Sequence, residues 1–358
     1  MIKVMVRRSR DLRYLNDDPA LELDGVREGP ASRWLRGEGD LTSPWEAQRL
    51  LTSTPRSAVV GYDLIIAAPR PISILVALDE SYAPAVVAGH RRSVADAVTY
   101  LERRALVVRD RRGGDDRDAA AEWERIAAYT HGVNRHGEPH LHDHVLVGAR
   151  PRDEDRVLDA RGLFAHARAA DALYRATLRA ELARTTPYAP WQSFEGVEHV
   201  KGLDEGYRAL WGGHFDDRGA KRYVTRDDVR RQWSRDLERF VALGVVPAPS
   251  HQRNSLNEHA FAAAFEGRHE VHRHHVVEAW ANAATFGASA HTIEGALDLM
   301  YPEVRAARGV RGPTLSVGRA RMVASVRERG ARPLDLAELT EWRQRTRDRS
   351  DPGWGRSR

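Results

Sequence analysis

The chain contains no cysteine, which excludes disulfide staples and any thiolate metal site. It is also nearly without lysine. Of 56 basic residues only Lys3, Lys201 and Lys221 are lysines, and the rest are arginines. None of the three precedes Ser or Thr, so the Gly-Lys-Ser/Thr end of a phosphate loop is missing, and a helicase motor is not expected. No apolar run approaches the roughly 20 residues of a membrane span. No signal-peptide pattern opens the chain. The expectation is a soluble, cytoplasmic protein.

What is present is length and positive charge. The 358 residues suffice for one large or two modest domains. The net charge of +5 makes a polyanionic partner plausible. Arginine suits bidentate contacts to phosphate, although a biased coding composition produces the same excess.

The most informative stretch is His131-Gly-Val-Asn-Arg-His-Gly-Glu-Pro-His-Leu-His-Asp-His144. His142 and His144 are followed by the apolar, β-branched run Val145-Leu146-Val147. That run reads as a strand, on which residues i and i+2 share a face. His131 ends a second strand-like run that begins at Ile126, and Arg135 to Pro139 between them reads as a turn. A turn centred between His136 and Gly137 sets His131 opposite His142. A turn centred between Gly137 and Glu138 sets it opposite His144. Both put three imidazoles on one face, whereas a turn centred on Gly137 pairs His131 with Asp143 and breaks the set. Three neutral ligands leave a coordination position open, as catalytic sites do, and leave the ion's charge available to polarise a phosphoryl oxygen.

The run His131…Arg135…Glu138-Pro139-His140-Leu141-His142-Asp143-His144-Val145-Leu146-Val147 resembles the metal motif of the MobF (TrwC-like) conjugative relaxases, which are endonucleases of the HUH superfamily. Gly61-Tyr62-Asp63-Leu64-Ile65-Ile66-Ala67-Ala68-Pro69-Arg70-Pro71-Ile72-Ser73 resembles the same family's strand-turn block with its acidic residue. Leu158-Asp159-Ala160-Arg161 with Ala172-Leu173-Tyr174-Arg175-Ala176 resembles the strand and helix that follow the metal motif. The three blocks occur in family order and span roughly residues 1–245.

The resemblance implies an α+β HUH relaxase fold, with a central antiparallel β-sheet and flanking helices. It implies metal-assisted nicking of one strand of transfer-origin DNA through a 5′-phosphotyrosine link. The nucleophile it implies is an N-terminal tyrosine, here Tyr14. His131, His142 and His144 would hold a divalent ion, Mg²⁺ or Mn²⁺, with Zn²⁺ an option. Asp63 would either accept the free ring N–H of a metal-bound histidine or take the tyrosine proton. Arg70 and Arg135 would contact DNA. The partners implied are single-stranded and hairpin or duplex origin DNA and a type IV secretion coupling protein.

Some positions depart from the family pattern. Asp143 stands where Thr is common, Ala149 where Asn is typical, and Arg70-Pro71 where Lys-Ser is usual. There is no second tyrosine between Tyr14 and Tyr62. A relaxase-derived DNA-binding protein without the reaction is therefore a rival reading. An HUH replication initiator is another, disfavoured because its tyrosine usually follows the metal histidines.

Apolar spacing predicts helices over Pro84–Ala105, Leu163–Arg184, Thr225–Leu243, His275–Ala284, Thr292–Met300, Gly318–Glu328 and Leu336–Arg345. Ser43-Pro44 opens a further one. Ile72–Leu78 either continues the strand before it or starts a helix. Arg111–Asp118 reads as a charged loop, and Gln192–Val200 as a short strand pair. The expected division is a relaxase domain over 1–245, a linker near 247–255 and a mainly helical extension over 246–358 with an auxiliary role. His272 and His275 share a face if helical, without other ligands nearby.

Overall fold

Alternation decides which face of each strand is buried, and that fixes the architecture. The computed structural model describes residues 2–12, 15, 32–36, 47–52, 58–78, 82–110, 117–134, 136–151, 158–185, 192–194, 197–199, 226–242, 264–265, 267–284, 287–310 and 313–316. Tyr14, Arg135, the Ser43-Pro44 start of the expected helix, the linker at 247–255 and the two helices expected beyond residue 317 lie outside these.

In chain order the elements are β1 (Ile2–Arg7), β2 (Ser32–Arg36), β3 (Gly61–Ala67), α1 (Arg70–Leu78), α2 (Ala83–Ala105), β4 (Val107–Asp110), β5 (Arg117–Ala120), β6 (Ile126–Val133) and β7 (Pro139–Gly148). There follow α3 (Arg161–Thr185), β8 (Gln192–Phe194), β9 (Val197–His199), α4 (Arg226–Ala242), β10 (Glu270–Val271), α5 (Arg273–Ala283), α6 (Ala290–Met300) and β11 (Leu315–Ser316). The main sheet has the order β1-β3-β7-β6-β2 and all its pairs are antiparallel. This is the α+β arrangement expected. Among the described residues no helix is long and apolar enough to cross a membrane.

The two sheet faces serve different purposes. Tyr62, Leu64 and Ile66 of β3, Ile126 and Ala128 of β6, and Leu141, Val145 and Val147 of β7 join the large core with α2 and α3. From α2 that core takes Val86, Val87, Val94, Ala97, Val98 and Leu101, the spacing of one helical face. Leu146, Ala127 and Tyr129 face the other way. They pack with Leu12, Leu15, Ala47, Leu51 and Val60 in a smaller cluster.

Ile72–Leu78 resolves as helix. Pro69 ends the strand, and Pro71 sits in the first helical turn, where a missing N–H costs little. The charged segment at 111–118 is flanked by a hairpin, β4 with β5, that its charges concealed.

The segment beyond residue 245 has no core of its own among the described residues. Val271, Val276, Val277, Trp280, Ile293, Leu297, Val304 and Leu315 belong to the same cluster as the sheet and α2–α3. Polar contacts fasten it too. Arg179 of α3, fully buried, donates to the carbonyls of Ala284 (3.0 Å) and Ala281 (2.6 Å) at the end of α5, where a cation also suits the helix dipole. Arg104 of α2 pairs with Glu294 at 2.6 Å and with Asp298 at 3.7 Å. Gly287 adopts φ +79°, and a Cβ there would lie 2.1 Å from the Ala180 backbone nitrogen, so the crossing over α3 requires glycine.

Histidines line the same junction. His166 of α3 bonds the Tyr100 hydroxyl (2.9 Å) and the Gly309 carbonyl (2.9 Å). Its ring lies 4.7 Å from that of His274, which is 4.2 Å from that of His275. Burial, reinforced by neighbouring cations and histidines, pushes His166 down to about 4, His274 to about 2 and His275 to about 4.

Two outcomes are expected. Truncation after residue 245 strips the core of side chains whose burial contributes roughly 1.5–3 kcal/mol each, against a net stability of about 5–15 kcal/mol for a domain. It also leaves the Arg179 guanidinium buried without its two carbonyls. The truncated chain should therefore be insoluble or show no cooperative melt. A truncated chain that melts like the full chain would show that the junction contributes little. The second outcome concerns acid. These histidine values are lowered in the fold, so the unfolded chain takes up protons near pH 6.5 that the folded chain refuses until far lower. Stability is thus lost as pH falls through 6.5. With a chelator present, Tm should drop between pH 7 and pH 5, above the range where most carboxylates titrate. A flat Tm across that window would contradict the buried, neutral junction.

Candidate metal centre

The site rests on the β6–β7 hairpin. Its register sets His131 opposite His142, with Tyr129 opposite His144. Of the two permitted registers this is the one with the turn centred between His136 and Gly137, with an irregularity between His131 and Val133. The turn is built locally. The Asn134 side-chain oxygen accepts from the backbone N–H of His136 (2.9 Å) and Glu138 (3.0 Å), and its amide donates to the Glu138 carboxylate (2.6 Å). Gly137 takes φ +79°, a conformation open to glycine.

Two neighbours brace this turn, and neither was visible from spacing. Arg70, at the start of α1, pairs with buried Glu138 at 3.4 Å. From α4, the Trp233 indole N–H donates to the Gly137 carbonyl at 2.8 Å, and Val229 packs on Val133.

The three imidazoles converge as expected. Ring centroids are 5.1 Å apart for His131–His142, 5.0 Å for His131–His144 and 5.3 Å for His142–His144. One nitrogen from each lies within 4.8 Å of the others, and all three residues are buried. Among the described residues no other group of His, Asp or Glu meets in this way. The junction histidines do not, since both ring nitrogens of His166 are engaged elsewhere.

Partners aim the rings. His144 Nδ1 lies 3.0 Å from each oxygen of Asp63. His142 Nδ1 lies 2.8 Å from the His140 carbonyl. In both rings Nδ1 is committed to an acceptor, so it carries the proton and Nε2 keeps its lone pair for an ion. Arg7 approaches Asp63 at 3.9 Å.

Burial holds the His142 imidazole well below its ordinary value, with His140 and His144 adding to the effect. It takes His140, stacked on His142 at 4.7 Å, down to about 3, with Arg70 contributing. A buried, all-nitrogen set with two of its rings oriented fits a divalent cation.

Asp63 thus stands beside the triad, and Arg70 stands at the hairpin tip. Tyr14 and Arg135 lie outside the described residues. The neighbours of Tyr14 do not: Leu12 and Leu15 are buried with Tyr129 and Leu146 on the histidine-bearing face. Alternation along β7 turns Asp143 away from the two histidines, and what sequence reasoning missed is the partner it meets there. Asp143 points into the core, where His90 meets it at 3.1 Å.

Comparison with known proteins agrees with this architecture. A family model described as TrwC relaxase matches residues 18–213. The match begins after Tyr14 and ends before α4. Among solved structures, a conjugative relaxase TrwC in complex with origin-of-transfer DNA, copper-bound, superposes with a TM-score of 0.55 at 20% identity, covering 69% of this chain and 99% of that one. A metal-bound TrwC–origin DNA complex gives 0.53 at 19%, with the same coverage. TrwC complexed with a 27-mer DNA comprising the recognition hairpin and the cleavage site gives 0.52 at 20%, again covering 69% and 99%. No curated protein matches the chain.

Proposed function

The chain belongs to the TrwC relaxase family, and from that premise we propose that it nicks one strand of a transfer-origin DNA by metal-assisted transesterification. The observation that carries this reading is the buried triad His131–His142–His144 with Asp63 aiming one of its rings. A bound divalent ion supplies Lewis-acid polarisation of a non-bridging oxygen of the scissile phosphate. Of the two ions first expected, the nitrogen donors favour Mn²⁺ over Mg²⁺, and they suit Zn²⁺ as well.

The nucleophile in this proposal is Tyr14. Its phenol oxygen bonds to phosphorus as the bond from phosphorus to the 3′ oxygen breaks. A 5′-phosphotyrosine link forms, the phenol proton passes to a base, and the 3′ oxygen departs as a hydroxyl after taking a proton from solvent. The support is the anchoring of Leu12 and Leu15 on the histidine face. The other N-terminal tyrosines suit the role less. Tyr62 faces the core, and burial pushes its phenol up; Tyr82 packs against the same core. Asp63 acts by orienting His144, because both its oxygens already address that ring. Arg70 and Arg135 contribute phosphate contacts. Arg70 does so from a position where it also holds the hairpin tip through Glu138.

The substrate proposed is single-stranded origin DNA with its adjoining hairpin, as in the complexes of the structural relatives. A secretion-system coupling protein is the further partner, and the cytoplasm the place of action.

Incubating the full chain and a labelled origin oligonucleotide with Mn²⁺ tests the reading. Wild type should yield a covalent adduct on a denaturing gel, mapped by mass spectrometry to the peptide containing Tyr14. His142→Ala and His144→Ala should lose nicking by about 100-fold or more while retaining most DNA affinity, which is spread over many phosphates. Tyr14→Phe should fold, bind metal and form no adduct. An adduct on Tyr62, Tyr82 or Tyr129 overturns the nucleophile assignment. DNA binding without any adduct would favour the non-catalytic rival.

A further inference from the structure

The strand that carries two of the three ligands is gripped from behind. Asp143 lies between His142 and His144, and alternation sends its carboxylate to the opposite face, where it is fully buried. There Asp143 Oδ1 lies 3.1 Å from His90 Nε2 of α2. His90 Nδ1 lies 2.7 Å from the Tyr174 hydroxyl of α3. The His90 and Tyr174 rings meet edge to face at 5.6 Å. His90 and Tyr174 are as deeply buried as Asp143.

Each polar group has a role. The carboxylate can only accept, so His90 Nε2–H donates to it, while His90 Nδ1 meets the Tyr174 hydroxyl. A buried carboxylate without such a donor would cost several kcal/mol, so the contact is strongly held. Thr130, the β6 residue opposite Asp143, is the neighbour of His131. The chain Asp143–His90–Tyr174 therefore reaches the sheet directly behind all three metal-facing imidazoles and ties it to the two central helices.

We propose that Asp143, His90 and Tyr174 are positioning residues for the metal centre. By fixing the rotation of β7 against α2 and α3, they set how the His142 and His144 nitrogens converge, and hence the affinity and symmetry of the bound ion. None of the three touches metal or DNA. The proposal rests on the reading of the histidine triad as a metal site. Ligands need placement within about 0.5 Å to bind well, and losing the groups that hold them typically costs about 10–100-fold in metal affinity.

Co²⁺ titration of the full chain tests this, read by visible absorption, with Tm recorded for each variant. Wild type should bind Co²⁺. If it does not, the triad is no metal site and both readings fall. Asp143→Leu and His90→Leu keep volume but break the chain. They should raise the Co²⁺ Kd by about ten-fold or more and alter the absorption bands. Asp143→Asn keeps an oxygen that accepts from His90, so it should stay within about three-fold of wild type with its spectrum preserved. A folded Asp143→Leu with wild-type Kd and spectrum overturns the proposal. So does an Asp143→Asn as impaired as Asp143→Leu, since charge rather than the hydrogen bond would then matter. Should the leucine variants fail to fold, Tyr174→Phe decides. It removes one hydroxyl and should still weaken Co²⁺ binding, and unchanged binding there overturns the proposal as well.

Discussion

Everything at the site depends on the pairing of β6 with β7. Side chains alternate along a strand with a period of two, so a slip of one residue turns the whole set to the other face. In the observed register His131 stands opposite His142, and the imidazoles face one way while Asp143, Val145 and Val147 face the other. A slip would bury the imidazoles among aliphatic side chains and turn the Asp143 carboxylate out. Several unrelated contacts oppose that slip. Asn134 closes the turn from within, Arg70 and Trp233 hold its tip, and the buried acceptor pattern around His90 fits only one placement of β7.

The main sheet thus separates two kinds of packing. Its α2–α3 side is a large hydrocarbon core crossed by polar chains such as Tyr174–His90–Asp143 and Tyr100–His166–Gly309. Its other side combines a small apolar cluster, which holds Leu12 and Leu15, with the polar triad. The segment at 264–316 belongs to the first side. It lies beyond the family match at 18–213, yet it caps the same core and receives the buried guanidinium of Arg179. The histidine triad and this cap therefore come from different parts of the chain.

How much of this was legible in the sequence follows from the range of each interaction. The triad was legible because His142 and His144 are two apart on an apolar strand, and because a short turn brings His131 back. The turn centre stayed open, between two registers that assemble the set and one that breaks it, and Asn134 and Gly137 settle that locally. Asp63 was legible only through the resemblance of its strand-turn block to the family's, since nothing in the spacing alone ties it to His144, 81 residues on. The helices α2, α3, α5 and α6 followed from apolar spacing, with ends displaced by a few residues at most. Ile72–Leu78 was ambiguous because a short apolar run suits either a strand or a helix. The β4–β5 hairpin was hidden by charge, since Arg117 and Asp118 give no apolar alternation. Nothing local told that His90 would meet Asp143, or that Trp233 would reach Gly137. Those partners are 53 and 96 residues apart, and their meeting is decided by how whole helices pack. The division near residue 245 was drawn from a change of character along the chain, which reports composition and not which surfaces share a core.

Burial of the triad has a chemical logic that joins fold to function. A metal ion competes with protons for imidazole, so a ligand that resists protonation stays available. The surroundings of His142 achieve this by desolvation, with His140 and His144 making a further positive charge unwelcome. Desolvation alone would leave neutral rings free to rotate, and a rotated ring presents a proton where a lone pair is needed. Asp63 and the His140 carbonyl prevent that by engaging the Nδ1 positions. Availability is thus set by the apolar surroundings and direction by two acceptors. Asp63 comes from the neighbouring strand β3 and the His140 carbonyl from β7 itself, so the sheet that creates the face also supplies the groups that aim its ligands.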